Sequence, residues 1–249
     1  MRGIAEQKII VTGAASGIGR AIARRLAEEG AVVGIFDINQ EGGKALAEEI
    51  GAAGGRAHAY VVDITSYDAV AKGVGAFEAD AGPVDGLVNN AGWDRSEPFL
   101  QTDDAVRRKV VDLNLYGPIN MCHVVLAGMA ERGRGRVVSI SSDAGRVGSS
   151  GEAVYSACKG GVIAMTKTLA RELARTGITL NTVCPGPTDT PLLADVPDRL
   201  REALTRAVPM RRLAQPEDYP GMVAFLLSDD AGFITGQTIS ISGGLTMHG

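Results

Sequence analysis

The sequence predicts an α/β domain: a doubly wound parallel sheet of about seven strands with helices on both faces. Three observations predict it. Short apolar runs alternate with amphipathic stretches of helical length from one end of the chain to the other. That order demands crossover connections, and right-handed crossovers place helices on both faces of a parallel sheet. The chain has 249 residues, 45% of them apolar, enough for one large domain with a full core. No linker, repeat period or low-complexity tract divides it, so residues 1–249 read as a single domain.

The elements follow in order. Lys8-Ile-Ile-Val-Thr12 is the first strand, and the amphipathic stretch 18–29 is the first helix, stopped by Gly30. Strand 31–36, helix 41–52, strand 57–62, helix 67–80 and strand 85–89 repeat the unit. Two helices at 103–113 and 115–131 precede strand 136–141. Helix 153–175 and strand 178–183 complete the main array, with helix 216–228 and a last strand at 237–241. The intervening stretch, about 186–214, is rich in Pro and Arg and weakly periodic, which predicts a mobile lid.

The turn after the first strand reads Gly13-Ala-Ala-Ser16-Gly17-Ile18-Gly19. Glycines let backbone approach a ligand closely, and the helix start that follows offers free N–H groups to a pyrophosphate. The spacing G-x-x-x-G-x-G departs from the general dinucleotide fingerprint, and a plain tight turn uses the same residues. Asp37, with Ile38 after it, ends the second strand, where a carboxylate binds adenosine ribose hydroxyls and repels the extra phosphate of NADP. The turn holds no Arg or Lys, which also favours NAD. A loop-start or capping role is the alternative for Asp37. Asp63, followed by Ile64, suits either an adenine contact or a helix cap. Asn89-Asn90-Ala91-Gly92 suits close approach to a cofactor or an ordinary turn.

Tyr155 and Lys159 are four residues apart and share one helix face. A nearby ammonium favours the phenolate, which predicts a Tyr pKa below its usual value of about 10 and an acid/base role between alcohol and ketone. Alone, such a pair is more often a packed ring beside an extended amine. Ser142 closes the apolar run 136–142 thirteen residues upstream of Tyr155.

Together, residues 12–19, Asp63, residues 89–92, Asn114, Ser142, Tyr155 with Lys159, and Pro185-Gly186 resemble the classical short-chain dehydrogenase/reductase family over essentially the whole chain. The resemblance implies a Rossmann-like sheet of seven parallel strands and a homotetramer. It implies that Tyr155 exchanges the proton, Lys159 lowers its pKa and holds the nicotinamide ribose, and Ser142 orients the reacting oxygen. Asn114 would hold a water linking Lys159 to solvent. Pro185, Gly186, Thr188 and Thr190 would meet the nicotinamide side. A strand-end or capping hydroxyl is the alternative for Ser142, and a kinked helix for Asn114.

A narrower resemblance, in residues 89–94, 145–155, 184–190, 228–236 and 242–247, is to dehydrogenases of 2-hydroxycyclohexanecarboxyl-CoA. It implies NAD-dependent oxidation of a ring hydroxyl β to a thioester. The rivals are 1-arylethanol or cyclohexanol dehydrogenases, then a β-ketoacyl reductase, and last an inactive dinucleotide-binding relative. Trp93, the only Trp, is the candidate wall for a ring, against a rim or core role. Asp143, Val147, Val154, Leu192 and Leu193 are the other pocket candidates. Arg95, Arg146, Arg206, Arg211 and Arg212 are either CoA-phosphate ligands or surface charge.

The bulk composition excludes other classes. Net charge is −4 with no basic run, against nucleic-acid or membrane-surface partners. No apolar stretch reaches transmembrane length, and no secretory signal is apparent. Three Cys without C-x-x-C spacing suggest reduced thiols in a cytoplasmic protein, and Cys158 reads as packing. His58, His123 and His248 are too dispersed for a metal site.

Overall fold

The computed structural model describes residues 1–190 and 198–247. Seven parallel strands form one sheet: β1 (Lys8–Thr12), β2 (Val32–Asp37), β3 (Arg56–Val61), β4 (Gly86–Asn89), β5 (Gly135–Ile140), β6 (Ile178–Pro185) and β7 (Thr238–Ile241). Their order is β3-β2-β1-β4-β5-β6-β7. The order reverses between β1 and β4, and the loops leaving the carboxyl ends of these two strands diverge there. Such a crevice is where open α/β sheets bind ligands.

The helices are α1 (Gly17–Glu28), α2 (Gln40–Ala52), α3 (Tyr67–Ala81), α4 (Asp104–Val111), α5 (Gly117–Arg132), α6 (Ala144–Val147), α7 (Ala153–Glu172), α8 (Asp198–Ala207) and α9 (Pro220–Leu227). Two apolar layers result. One buries Ile9, Val11, Ile22, Leu26, Val138, Val183 and Val223 under α1 and α9. The other buries Ile10, Phe36, Phe77, Leu87, Met121, Val125 and Leu180 under α3 and α5. The central strands are covered on both faces: every residue of β4 and β6, and every residue of β1 after Lys8, is buried. Each fully buried side chain of this size contributes about 1.5–3 kcal/mol.

Three sequence expectations change. The two helices expected at 103–113 and 115–131 are one continuous run, because a single π-helical turn, Asp112–Tyr116, joins α4 to α5. The joined run, Asp104–Arg132, is 29 residues long and apolar enough to cross a membrane by composition. Its residues Met121, Cys122, Val125, Leu126 and Met129 are instead packed in the second core layer. The stretch 186–214 is not structureless, since it contains α8. Finally, residues 144–147, assigned to no element from the sequence, form the one-turn helix α6 between Ser142 and α7.

Candidate active site

Parallel strands deliver their following loops to one edge of the sheet. The glycine-rich turn after β1, residues 90–94 after β4, residues 141–147 after β5 and residues 186–190 after β6 therefore meet there. Thr12 ties two of these loops together: its hydroxyl accepts from Asn90 N at 2.9 Å and Ala91 N at 3.1 Å. Asn90 Nδ2 donates to Thr12 O and Gly13 O, at 3.0 and 3.1 Å. The Asn90 amide thus fixes the shape of the glycine turn.

A cavity of about 1020 Å³ runs along this edge. Gly13, Ser16, Gly17 and Ile18 line one end with Phe36, Asp37, Ile38, Asp63, Ile64 and Thr65. Asn90, Ala91, Gly92, Trp93 and Asp94 line the other, with Lys109, Asp112 and Leu113 on the α4 side; Thr190 also lines it, against Gly17. Gly13 has φ +63°, and a Cβ on it would lie 2.7 Å from Ala91 Cα. Only glycine fits that position without displacing the β4 loop. The Ser16 side chain makes no cap hydrogen bond, so the α1 N-terminus opens into the cavity. Open N–H groups, a positive helix end and a close glycine turn fit a dinucleotide pyrophosphate.

Asp37 accepts from Ala15 N and Asn39 N, both at 2.9 Å, one through each carboxylate oxygen. The two bonds fix a negative charge beside the glycine turn, at the end where a ribose would lie. Asp63 accepts from Thr65 N at 2.9 Å and Thr65 Oγ1 at 2.7 Å, and still faces the cavity.

The proton-transfer groups lie between β5, α7 and the π turn. Asn114 is fully buried. Its Nδ2 donates to Trp93 O at 2.6 Å and to Val110 O at 2.9 Å, and its Oδ1 accepts from Trp93 N at 3.3 Å. Val110 O is the carbonyl that an unbroken α-helix would pair with the backbone N–H of Asn114. The π turn thus releases a backbone acceptor, and the side chain of the same residue satisfies it. Lys159 is buried and donates to Ile140 O at 3.0 Å, with Nζ 5.4 Å from the Tyr155 ring centre. A Cβ built on Gly92 would sit 2.8 Å from Asn114 Oδ1 and 3.4 Å from Lys159 Nζ. The glycine therefore keeps a gap open between those two polar groups.

Electrostatics here correct the sequence expectation. Burial pushes the Tyr155 phenol up, the charges of Glu152 and Asp94 push it further, and a hydrogen bond with Ser142 pulls it partly back. Burial also pushes Lys159 down to about 8. The lysine does not hold the phenol low, because its own burial is severe and its ammonium points at a backbone carbonyl. Ser142 Oγ accepts from Ala144 N at 3.1 Å, which fixes it at the start of α6.

Several residues expected at the substrate lie elsewhere. Asp143 is buried and accepts from Ser240 Oγ, under β7. Arg146 donates to Ser240 Oγ at 2.7 Å and Thr238 O at 3.4 Å, so it anchors β7 and does not face a CoA phosphate. Arg95 pairs with Glu97 and Asp103, Arg206 with Glu202, and Arg212 with Asp218 at 2.6 Å. Arg211 donates to Arg206 O at 2.7 Å. Each guanidinium is engaged within the chain. Thr188 is buried: its Oγ1 bonds Gly186 O and the Tyr219 hydroxyl, at 2.8 and 2.6 Å, and its backbone bridges to Ala214. Pro185 ends β6, and Gly186 packs on Ser242, where a Cβ would meet Ser242 Cβ at 2.8 Å. Val147 is exposed. Leu192 and Leu193 lie outside the described residues.

Trp93 lines the cavity as expected, with Lys109 Nζ 3.9 Å from its ring centre. Cys158 is buried, with Sγ 3.9 Å from the α4 carbonyl Val110 O, which accords with a packing role. Sequence reading missed Asp94 and Glu152, two carboxylates near Tyr155. The only signal was an acid directly after the turn tryptophan.

A family model described as enoyl-(acyl carrier protein) reductase matches residues 13–246. The chain is 44% identical over 237 residues to acetoacetyl-CoA reductase of Rhizobium meliloti (strain 1021), covering 94% of this chain and 96% of that one. The chain belongs to the short-chain dehydrogenase/reductase family. Another member, cis-4-hydroxycyclohexanecarboxylate dehydrogenase of Sinomonas cyclohexanicum, is 40% identical over 97% of each chain. A (2S)-[(R)-hydroxy(phenyl)methyl]succinyl-CoA dehydrogenase subunit of Thauera aromatica is 38% identical over 98% of each. The solved structure of actinorhodin polyketide ketoreductase with NADPH superposes with a TM-score of 0.93 at 38% identity, covering 100% of both chains. As a short-chain dehydrogenase/reductase, this chain is an oxidoreductase that uses a nicotinamide dinucleotide.

Proposed function

We propose that the protein is an NAD-dependent dehydrogenase of ring-bearing secondary alcohols, with 2-hydroxycyclohexanecarboxyl-CoA oxidised to 2-oxocyclohexanecarboxyl-CoA as its reaction. The observation that carries the NAD reading is Asp37, fixed by two backbone N–H groups, with no Arg or Lys in the turn it contacts. A 2′-phosphate would meet that carboxylate directly. Bound NAD supplies the hydride acceptor. Gly13, Ser16, Gly17, Ile18 and Asp37 would hold its adenosine and phosphate end, and Lys159 and Thr190 its nicotinamide end. Tyr155, after giving up its own proton through the gap flanked by Lys159 and Asn114, takes the hydroxyl proton, and Ser142 donates to the substrate oxygen.

The ring preference is supported by Trp93 on the cavity wall and by the ring-bearing relatives. The thioester is supported by two CoA-named relatives. A second reading, a CoA-free 1-arylethanol or cyclohexanol substrate, gains from the engagement of every candidate phosphate-binding Arg within the chain. A homotetramer accords with the exposed apolar side chains of Phe99, Leu100, Tyr116 and Ile119 beside α4 and α5, and of Phe233, Leu245 and Met247. Light scattering measures that mass directly. Three free buried thiols accord with a reducing, cytoplasmic setting.

The test is NADH or NADPH formation with 2-hydroxycyclohexanecarboxyl-CoA, 1-arylethanols and cyclohexanol, each with NAD and with NADP. A thioester-dependent rate with NAD is expected. A fast rate on a free alcohol with the thioester inert would select the second reading. Tyr155→Phe should lower kcat by at least a thousandfold while dinucleotide binding stays within about threefold. Retained turnover would remove Tyr155 from the chemistry.

A further inference from the structure

Beside Tyr155 the structure holds a carboxylate that the mechanism does not use. Asp94 follows Trp93 and lines two spaces: the large cavity and a small recess on its other side. Ala153 and Val154, the two residues before Tyr155, complete the recess wall with Glu152. Asp94 Oδ2 is buried and has no hydrogen-bond partner. A buried acceptor left without a donor is costly, and native structures tolerate it mainly where function needs it.

Among the described residues, no cation forms an ion pair with Asp94. Arg95 and Arg107 also face the recess, but Arg95 is paired with Glu97 and Asp103, and Arg107 with Thr102 and Asp104. Across the cavity, Arg108 is paired with Asp104, and Lys109 lies over the Trp93 ring. Asp112, Asp37 and Asp63, the other charged groups lining that cavity, are themselves acidic. Among the described residues, neither Asp94 nor Glu152 makes an ion pair. Both charges are felt at the Tyr155 oxygen, the atom that must meet the substrate hydroxyl.

We propose that Asp94, backed by Glu152, excludes free carboxylates from the vicinity of the reacting carbon, so that the enzyme takes its substrate as a neutral ester or thioester and not as the free acid. This rests on the reading of the site as an alcohol-oxidising one, and it makes the acyl group's charge a selected property. A carboxylate on a substrate bound beside Tyr155 would face the recess shared by Asp94 and Glu152, neither of which is held in an ion pair among the described residues. Like charges brought together in a partly desolvated site repel, by about tenfold in binding. A thioester places no charge there and offers a carbonyl of similar shape.

Trp93, the only Trp in the chain and the neighbour of Asp94, reports ligand binding without turnover. The fluorescence of the NADH-loaded protein would be titrated with methyl cyclohexanecarboxylate and with cyclohexanecarboxylate, in wild type, Asp94→Asn and Glu152→Gln. The wild type should favour the ester, part of the preference being hydrophobic. The change on substitution isolates the charge: Asp94→Asn should narrow the preference by about tenfold, and Glu152→Gln by a smaller factor. Lowering the pH from 7.5 to 5.5 should narrow it in wild type, where Asp94 is held near 6 by burial and takes up a proton, and not in Asp94→Asn. The free acid stays ionised over that range. An ester-to-acid ratio unchanged in both variants, or independent of pH in wild type, would overturn the proposal. Failure of the alcohol-oxidation reading shows separately, as absence of NADH or NADPH formation from the whole alcohol panel.

Discussion

Replacing Lys159 by Met should make the protein more stable and inactive. The ammonium is buried and is pushed from 10.5 down to about 8, with burial the largest cause. That fall corresponds to about 3 kcal/mol, the cost of keeping the charged form inside the fold. Methionine has a similar length and no charge, and its loss of the bond to Ile140 O takes back about 1 kcal/mol. The net gain is about 2 kcal/mol at pH 7, or roughly 4–8 °C in Tm for a chain of this size. Because the folded-state value lies below the unfolded one, the penalty is present in full below about pH 8 and fades as pH rises towards 10.5. The advantage of Lys159→Met should therefore shrink across that window. Urea unfolding of dinucleotide-free protein at pH 7, 9 and 10 measures it, with turnover assayed in parallel. A variant less stable than wild type at pH 7, or a gap independent of pH, would refute the account of Lys159 as a charge held at a cost for function.

Other outcomes follow from the same geometry. Gly92→Ala places a methyl 2.8 Å from Asn114 Oδ1 and 3.4 Å from Lys159 Nζ, and should lower kcat about tenfold or more, with a stability loss of about 1–3 kcal/mol as the Asn114 amide shifts. An undiminished kcat would show that the gap carries no proton. Asp37→Ala should lower the NAD-over-NADP preference in kcat/KM about tenfold; a wild type that already prefers NADP would refute the role given to that carboxylate. Arg146→Met should cost about 1–2 kcal/mol of stability through loss of its bonds to Thr238 and Ser240, with KM for a CoA thioester unchanged. A raised KM with unaltered unfolding would return Arg146 to the substrate.

The fold was legible because strand and helix periods alternate cleanly, and all seven strands fall within about two residues of where the sequence placed them. The glycine turn, Asp37 and Trp93 line one cavity, and Asn114, Ser142 and Lys159 lie at the same edge of the sheet, because parallel strands deliver their following loops to that edge. What sequence did not show was pairing over long range. Arg146 looked free because Ser240, its partner, lies 94 residues away. Arg212 looked free although Asp218 lies only 6 residues on, because nothing in the local pattern announces a turn that closes the pair. The direction of the Tyr155 shift was missed for a related reason: the helix spacing of Lys159 was visible, whereas burial and the charge of Asp94, from another loop, were not.

The π turn at Asp112–Tyr116 sets the phase of the whole α4–α5 rod. One residue subtends about 100° of an α-helix, so an extra residue within a turn rotates everything beyond it against everything before. Here the rotation lets α4 present Val110 to α7 and lets α5 present Met121, Val125 and Met129 to the sheet. Deleting one residue between 112 and 116 would leave a more regular helix whose two halves no longer face their own neighbours. The length of this segment is therefore as much a constraint as its composition, and substitutions should be tolerated there more readily than a shift of frame.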